Sequence, residues 1–243
     1  MSAVGDHVLH EDELEPARDD SDTATIRVSF DSSNGCEHLE QRLIRFAPGR
    51  SHDRGLDRRQ EVLFVVSGHA ELELDGERHP LAPNTAVFIA SGETYAVDNP
   101  GPYELLFVSV VAPEDRIAAP GERKVTVRLD DQPELPASAE RTFHYLVNED
   151  AGCLDVTQFL GIVQPSKAPF HSHSYDEVGY VLAGEGFAHV GGRTAPLRAG
   201  SCFHLPPDEV HCIENSGTGP MKILAVFHPS GSPANRGWIS PEM

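Results

Sequence analysis

Short apolar runs recur along the chain with turn-forming residues between them. Val62-Leu-Phe-Val-Val66, Ala86-Val-Phe-Ile89, Leu105-Leu-Phe-Val-Ser-Val-Val111, Val178-Gly-Tyr-Val-Leu182 and Ile223-Leu-Ala-Val-Phe227 are the clearest. Runs of this length, rich in β-branched and aromatic residues and bounded by Gly, Pro and Asn, read as strands. Several in succession point to a sandwich or barrel. No stretch sustains the 3.6-residue apolar period of a helix. The pattern predicts an all-β chain.

The runs also repeat. Adding 116 to a residue number carries Glu61 to Glu177, Val62 to Val178, Gly68 to Gly184 and Gly76 to Gly192. The same offset carries Pro80 to Pro196, Asn99 to Asn215 and Pro113 to Pro229. A constant offset over so many positions marks two copies of one β module. The reading divides the chain into a tail (1–24), a first module (25–113), a linker (114–146), a second module (147–229) and a C-terminal arm (230–243). The arm holds Trp238, the single tryptophan, and is expected to be packed or frayed.

Charge changes the picture at one end. The chain of 243 residues has a formal net charge of −19, and residues 1–24 hold eight acids against one Arg. Such a segment, poor in large apolar residues, reads as a solvated, disordered tail. The overall acidity argues against binding to nucleic acid, which needs a basic face, and against docking on an anionic membrane. No basic-then-apolar leader and no membrane-length apolar run is present in the sequence, so the expected location is cytoplasmic. Cys36, Cys153, Cys202 and Cys212 lack metal-site spacing and are expected to be free thiols.

The second module carries the candidate chemistry. His171 and His173 are two apart, so on a strand they share a face; Glu177 follows four residues on, and His211 lies 34 residues after Glu177. Three imidazoles and a carboxylate converging in a small barrel suit a divalent first-row metal with coordination positions to spare. These residues resemble the cupin superfamily, whose pattern is G-x5-HxH-x3,4-E-x6-G followed by G-x5-PxG-x2-H-x3-N. Here the run is His171-x-His173-x3-Glu177-x6-Gly184, then Gly200-x5-Pro206-x-Asp208-x2-His211-x3-Asn215. The departures are Pro165 in place of the leading Gly and Asp208 in place of the second motif's Gly. The resemblance implies two tandem jelly-roll barrels, a bicupin, with His171, His173, Glu177 and His211 as ligands of Fe, Mn, Ni or Zn.

The first module keeps Glu61, but the 116 offset places Gly55, Asp57 and Tyr95 where the second has histidines, so no metal is expected there. By resemblance the function is that of a metal-dependent enzyme acting on a small organic metabolite, first of all a non-haem Fe(II)-type dioxygenase. The alternatives are a non-oxidative isomerase, cyclase, hydrolase or lyase, and a non-catalytic small-ligand binder. Proton-transfer candidates beside the metal are His189, His204, Tyr180 and Tyr175. The expected partners are the small-molecule substrate and, at most, a second copy of the chain.

Overall fold

The computed structural model describes residues 7–116, 123–235 and 238–239. The two modules are two β-barrels, each a pair of facing sheets. In the second, the larger sheet has seven strands in the order Val8–His10, Ser201–Leu205, Asp176–Ala183, Met221–His228, Thr157–Val163, Arg141–Val147, Leu135–Ser138. Its facing sheet has six: Arg193–Arg198, Glu185–Val190, His211–Asn215, His171–Ser172 and Trp238–Ile239 in order, with Ser166–Lys167 also on His211–Asn215. The first barrel has the same plan. Its larger sheet runs from Thr126–Arg128 through Thr85–Ile89, Arg59–Ser67, Leu105–Pro113, Glu40–Phe46 and Ala24–Phe30 to Ala17–Arg18.

Alternation explains why several strands are apolar throughout. In Leu105–Pro113, Leu105 and Phe107 point into the first barrel, while Leu106, Val108 and Val110 point out of it. The outward set meets the corresponding face of the second barrel, where Val178, Tyr180, Leu224 and Val226 complete one shared core. Each large sheet is therefore buried on both faces, and its strands lose the in–out contrast of a half-exposed sheet.

The repeated Asn does the same structural work in both copies. Asn215 donates its amide to the carbonyls of Val163 and Gly219 while its Oδ1 accepts from the Gly217 N–H. Asn99 repeats this with Phe46, Tyr103 and Gly101. A turn's backbone groups are thereby satisfied from one buried side chain.

Two segments differ from their sequence reading. Within the span read as a disordered tail, Val8–His10 pairs antiparallel with Ser201–Phe203, the edge of the second barrel's large sheet. His10 Nε2 meets the Ala199 carbonyl at 3.0 Å, and the Glu11 N–H donates to Gly200 O at 3.0 Å. Three residues are too few to stand out among the acids around them, and only an open sheet edge rewards their ordering. The span read as a linker likewise contains Thr126–Arg128, paired with Thr85–Val87 of the first barrel, and the strands Leu135–Ser138 and Arg141–Val147 of the second. Each barrel's edge is thus closed by the segment preceding the other barrel. Deleting residues 1–14 uncovers the Ser201–Leu205 edge, and the melting temperature is expected to fall by at least about 5 °C. An unchanged melt would make the strand dispensable.

Candidate metal centre

Three imidazoles and a carboxylate meet at one end of the second barrel. His171 and His211 are directly opposed in register. Their ring centroids are 4.5 Å apart, as are those of His173 and His211, with 6.3 Å between His171 and His173. Glu177 Oε2 lies 3.2 Å from His173 Nε2. All four side chains line a cavity of about 260 Å³.

The backbone fixes which nitrogen faces the cavity. His171 Nδ1 is bonded to Pro169 O at 3.1 Å, His173 Nδ1 to Tyr175 O at 2.9 Å, and His211 Nδ1 to Glu209 O at 2.8 Å. A carbonyl only accepts, so each Nδ1 carries the proton and each Nε2 presents a lone pair. His173 Nε2 is buried with no hydrogen-bond partner despite the nearby carboxylate, because both atoms are acceptors. An unpartnered buried lone pair beside a carboxylate is costly unless a cation lies between them.

Burial also keeps the His171 and His211 rings neutral. It depresses the pKa of His171, and it takes His211 down to about 4, with the neighbouring His171 and His173 adding to the effect. A ligand already free of its proton at neutral pH binds a metal without first losing one.

Asp208, one of the two departures from the family pattern, stands in the left-handed region at φ 61°. That conformation accounts for the family's Gly, and Asp is among the side chains that tolerate it. Its N–H donates to His173 O at 2.7 Å and so pins the ligand loop. The C-terminal arm closes the same end: Trp238–Ile239 pairs with His171–Ser172, and Pro233 and Asn235 line the cavity. Tyr145 donates to Ser232 Oγ at 3.1 Å, anchoring the arm.

Of the proton-transfer candidates, only Tyr175 lines the cavity, with its ring stacked on His173 at 3.7 Å. His204, His189 and Tyr180 all face elsewhere. Strand alternation is the reason. Phe203 and Leu205 point inward, so His204 between them points to the inter-barrel core; Tyr180 is an odd number of residues from inward Glu177 and joins that core too. His189 lies between inward Ala188 and Val190, and outside the barrel it meets Thr194 Oγ1 at 2.9 Å and Glu214 Oε2 at 2.8 Å. Cys212 turns its thiol to Ala168 O, and all four cysteines are free.

His204 has a structural partnership of its own. Its Nε2 lies 2.5 Å from Asp176 Oδ1, and Asp176 Oδ2 accepts the His38 N–H at 3.2 Å and the Cys36 thiol at 3.9 Å. The donor atoms of Cys36, Asp176 and His204 are all within 4.8 Å of one another, a tighter group than the open set at the cavity. Hydrogen bonds already satisfy this carboxylate from both barrels, so the group reads as a clasp between them rather than an ion site.

In the first barrel the register corrects the sequence alignment by one residue. Arg54, not Gly55, lies opposite Tyr95 as His171 lies opposite His211. Tyr95 fills that site and donates to Glu61 Oε2 at 3.0 Å, and Ser109 bonds the other oxygen. Arg54 is paired with Asp22. The loop between Arg54 and Glu61 is one residue longer than its counterpart, an insertion that a gapless offset conceals.

Arg141 also lines the cavity and was not singled out from sequence, because it fell in the span read as linker; Lys167, on the rim, pairs its ammonium with Glu214 Oε2 at 3.7 Å. No helix among the described residues is long and apolar enough to cross a membrane.

Comparison with known proteins agrees with this architecture. The Cupin domain family model matches residues 42–111 and 159–227, more than half of the chain. An oxalate-binding protein from Thermotoga maritima is 37% identical over 63 residues, which are 26% of this chain and 52% of that protein. An uncharacterized HTH-type transcriptional regulator from Bacillus subtilis is 38% identical over 69 residues, 28% of this chain and 22% of the relative. The matches thus span about half or less of these curated relatives. Among solved structures, oxalate decarboxylase from Bacillus subtilis at pH 4.6 superposes with a TM-score of 0.74 at 14% identity, covering 96% of this chain and 78% of that one. At that identity the likeness concerns the fold.

Proposed function

The chain belongs to the cupin domain family, with two such domains in tandem, and on that premise we propose that its second barrel is a metal-dependent enzyme site for a small organic acid. The observation that carries the reading is the common orientation of His171, His173 and His211. Each Nδ1 is spent on a backbone carbonyl and each Nε2 is turned to Glu177 and the cavity. One carboxylate and three neutral imidazoles would leave a divalent ion with net positive charge and open positions for an oxygen-donor substrate. Bound there, the metal would act as a Lewis acid toward the substrate's oxygens and, if it is Fe(II), as the partner for dioxygen.

The protein's own groups hold and shield. Arg141 supplies positive charge along the wall, suited to a carboxylate. Tyr175 keeps its proton, because burial, with Glu177 nearby, raises its phenol far above the ordinary value. It can donate a hydrogen bond but is no base at neutral pH. With His189, His204 and Tyr180 facing away, proton abstraction by a lining side chain has little support, which favours the dioxygenase reading. The non-oxidative reading draws on the likeness to the oxalate-binding protein and to the decarboxylase fold.

Oxygen uptake separates the two. Protein loaded with Fe(II) and supplied with small carboxylic acids is expected to consume dioxygen in step with substrate loss, and His171→Ala to consume none. Turnover at full rate under strict anaerobiosis would overturn the dioxygenase reading in favour of the non-oxidative one.

A further inference from the structure

The cavity is walled on one side by a continuous run of rings. Phe143 meets Phe159 edge-on at 6.3 Å, Phe159 meets Phe227 at 5.7 Å, Phe227 stacks on Tyr175 at 4.5 Å, and Tyr175 stacks on His173 at 3.7 Å. The run begins at a metal-ligand candidate and leads away from it. Ile213, Ile223 and Ala225 supply aliphatic surface to the same cavity. Phe203 adds another ring, which lies over Gly179: a Cβ at residue 179 would stand 2.1 Å from that ring. The strand beside Glu177 thus leaves room for an aromatic side chain.

Such a wall is poorly matched to a ligand that is polar all over. Oxygen atoms pressed against ring faces lose their water without gaining a partner, which is unfavourable. A flat apolar body gains both the area removed from water and ring–ring contact. Size points the same way: an apolar cavity of about 150 Å³ holds benzene, and this one, at about 260 Å³, has room for a ring and a polar head. The polar features sit together. His171, His173, His211 and Glu177 share one end, and Arg141 reaches the strand that carries His211, two residues along from that histidine. Arg141 is held in place by the bond from its Nη2 to Ile213 O at 2.5 Å.

From the aromatic run that starts at His173, we propose that the substrate is an aryl-bearing acid: a carboxylate with an adjacent oxygen at the metal-ligand end and a planar apolar body along Phe143, Phe159 and Phe227. The inference rests on the metal-site reading above and narrows the substrate class that site takes.

The test uses the whole chain loaded with Co(II), whose visible absorption reports changes at the ligands. Salicylate and phenylpyruvate are titrated against oxalate. The aryl acids are expected to perturb the spectrum at concentrations at least about 30-fold lower than oxalate. Phe159→Ala should weaken salicylate about tenfold and leave oxalate unchanged. Phe159→Leu, which preserves apolar bulk and hence folding, should show a smaller loss of the same sign. If Co(II) binds stoichiometrically but oxalate matches or exceeds the aryl acids, or none of the three perturbs the spectrum, the substrate inference is overturned and the metal site stands. If Co(II) fails to bind at all, the metal-site reading falls, and the substrate inference with it.

Discussion

Wild-type protein purified without added metal is expected to carry about one divalent transition-metal ion per chain, and His211→Ala less than about a tenth of that. His211 is 1% exposed, and its ring is fixed between the Glu209 carbonyl and the two partner imidazoles. Changes to groups that merely support a metal ligand cost about 10- to 100-fold in affinity, so loss of a direct donor costs at least as much. A ligand present at about a thousand times its Kd stabilises the native state by about 4 kcal/mol. For a chain of this size that corresponds to about 10 °C in melting temperature. Chelation should therefore lower the wild-type melt by that order and leave His211→Ala nearly unmoved. His189→Ala is the control: its ring is engaged outside the cavity by Thr194 and Glu214, so metal content should stay full. Equal metal in wild type and His211→Ala by elemental analysis would refute the assignment of this ligand.

The second large effect concerns stability rather than chemistry. Asp176 and His204 are 1% and 2% exposed, so bulk solvent does not reach the pair. His204→Ala leaves a buried carboxylate without its main partner, a change that costs about 3–5 kcal/mol. That is a large share of the 5–15 kcal/mol by which domains are stable. Urea unfolding should show the midpoint falling accordingly. Asp176→Asn combined with His204→Leu should lose less than the sum of the single changes, because the buried charge goes together with its partner. A loss below about 1 kcal/mol in His204→Ala would mean that the clasp contributes nothing. Because His38 and Cys36 come from the first barrel, the effect should reach both barrels in one transition rather than loosening only the second.

The four ligand candidates were legible because their evidence is local. His171 and His173 are two apart, and the motif spacing that resembles the family pattern added Glu177 and His211 as candidates. The Tyr180 reading failed on information already present in the chain: Glu177 and Tyr180 are three apart, so a strand that turns one inward turns the other outward. The His204 and His189 readings needed more. Their direction follows from cross-strand register, Glu177 against Leu205 and Val190 against His211, which one sequence does not display.

Sequence by itself determined the strand content and the duplication and named the metal-ligand candidates, each of which rests on spacing along one chain. Tertiary structure alone decided that residues 8–10 are a strand, since an isolated three-residue run gains nothing until the Ser201–Leu205 edge offers it hydrogen bonds. It also decided that Arg54 takes the place of a histidine, because a one-residue insertion is visible only in the pairing. Finally, it assembled Phe143, Phe159, Phe227 and Tyr175 into one wall from four segments, none of which in sequence points to the others. Contacts between distant segments carry no signature in either segment, and the cavity is made entirely of such contacts.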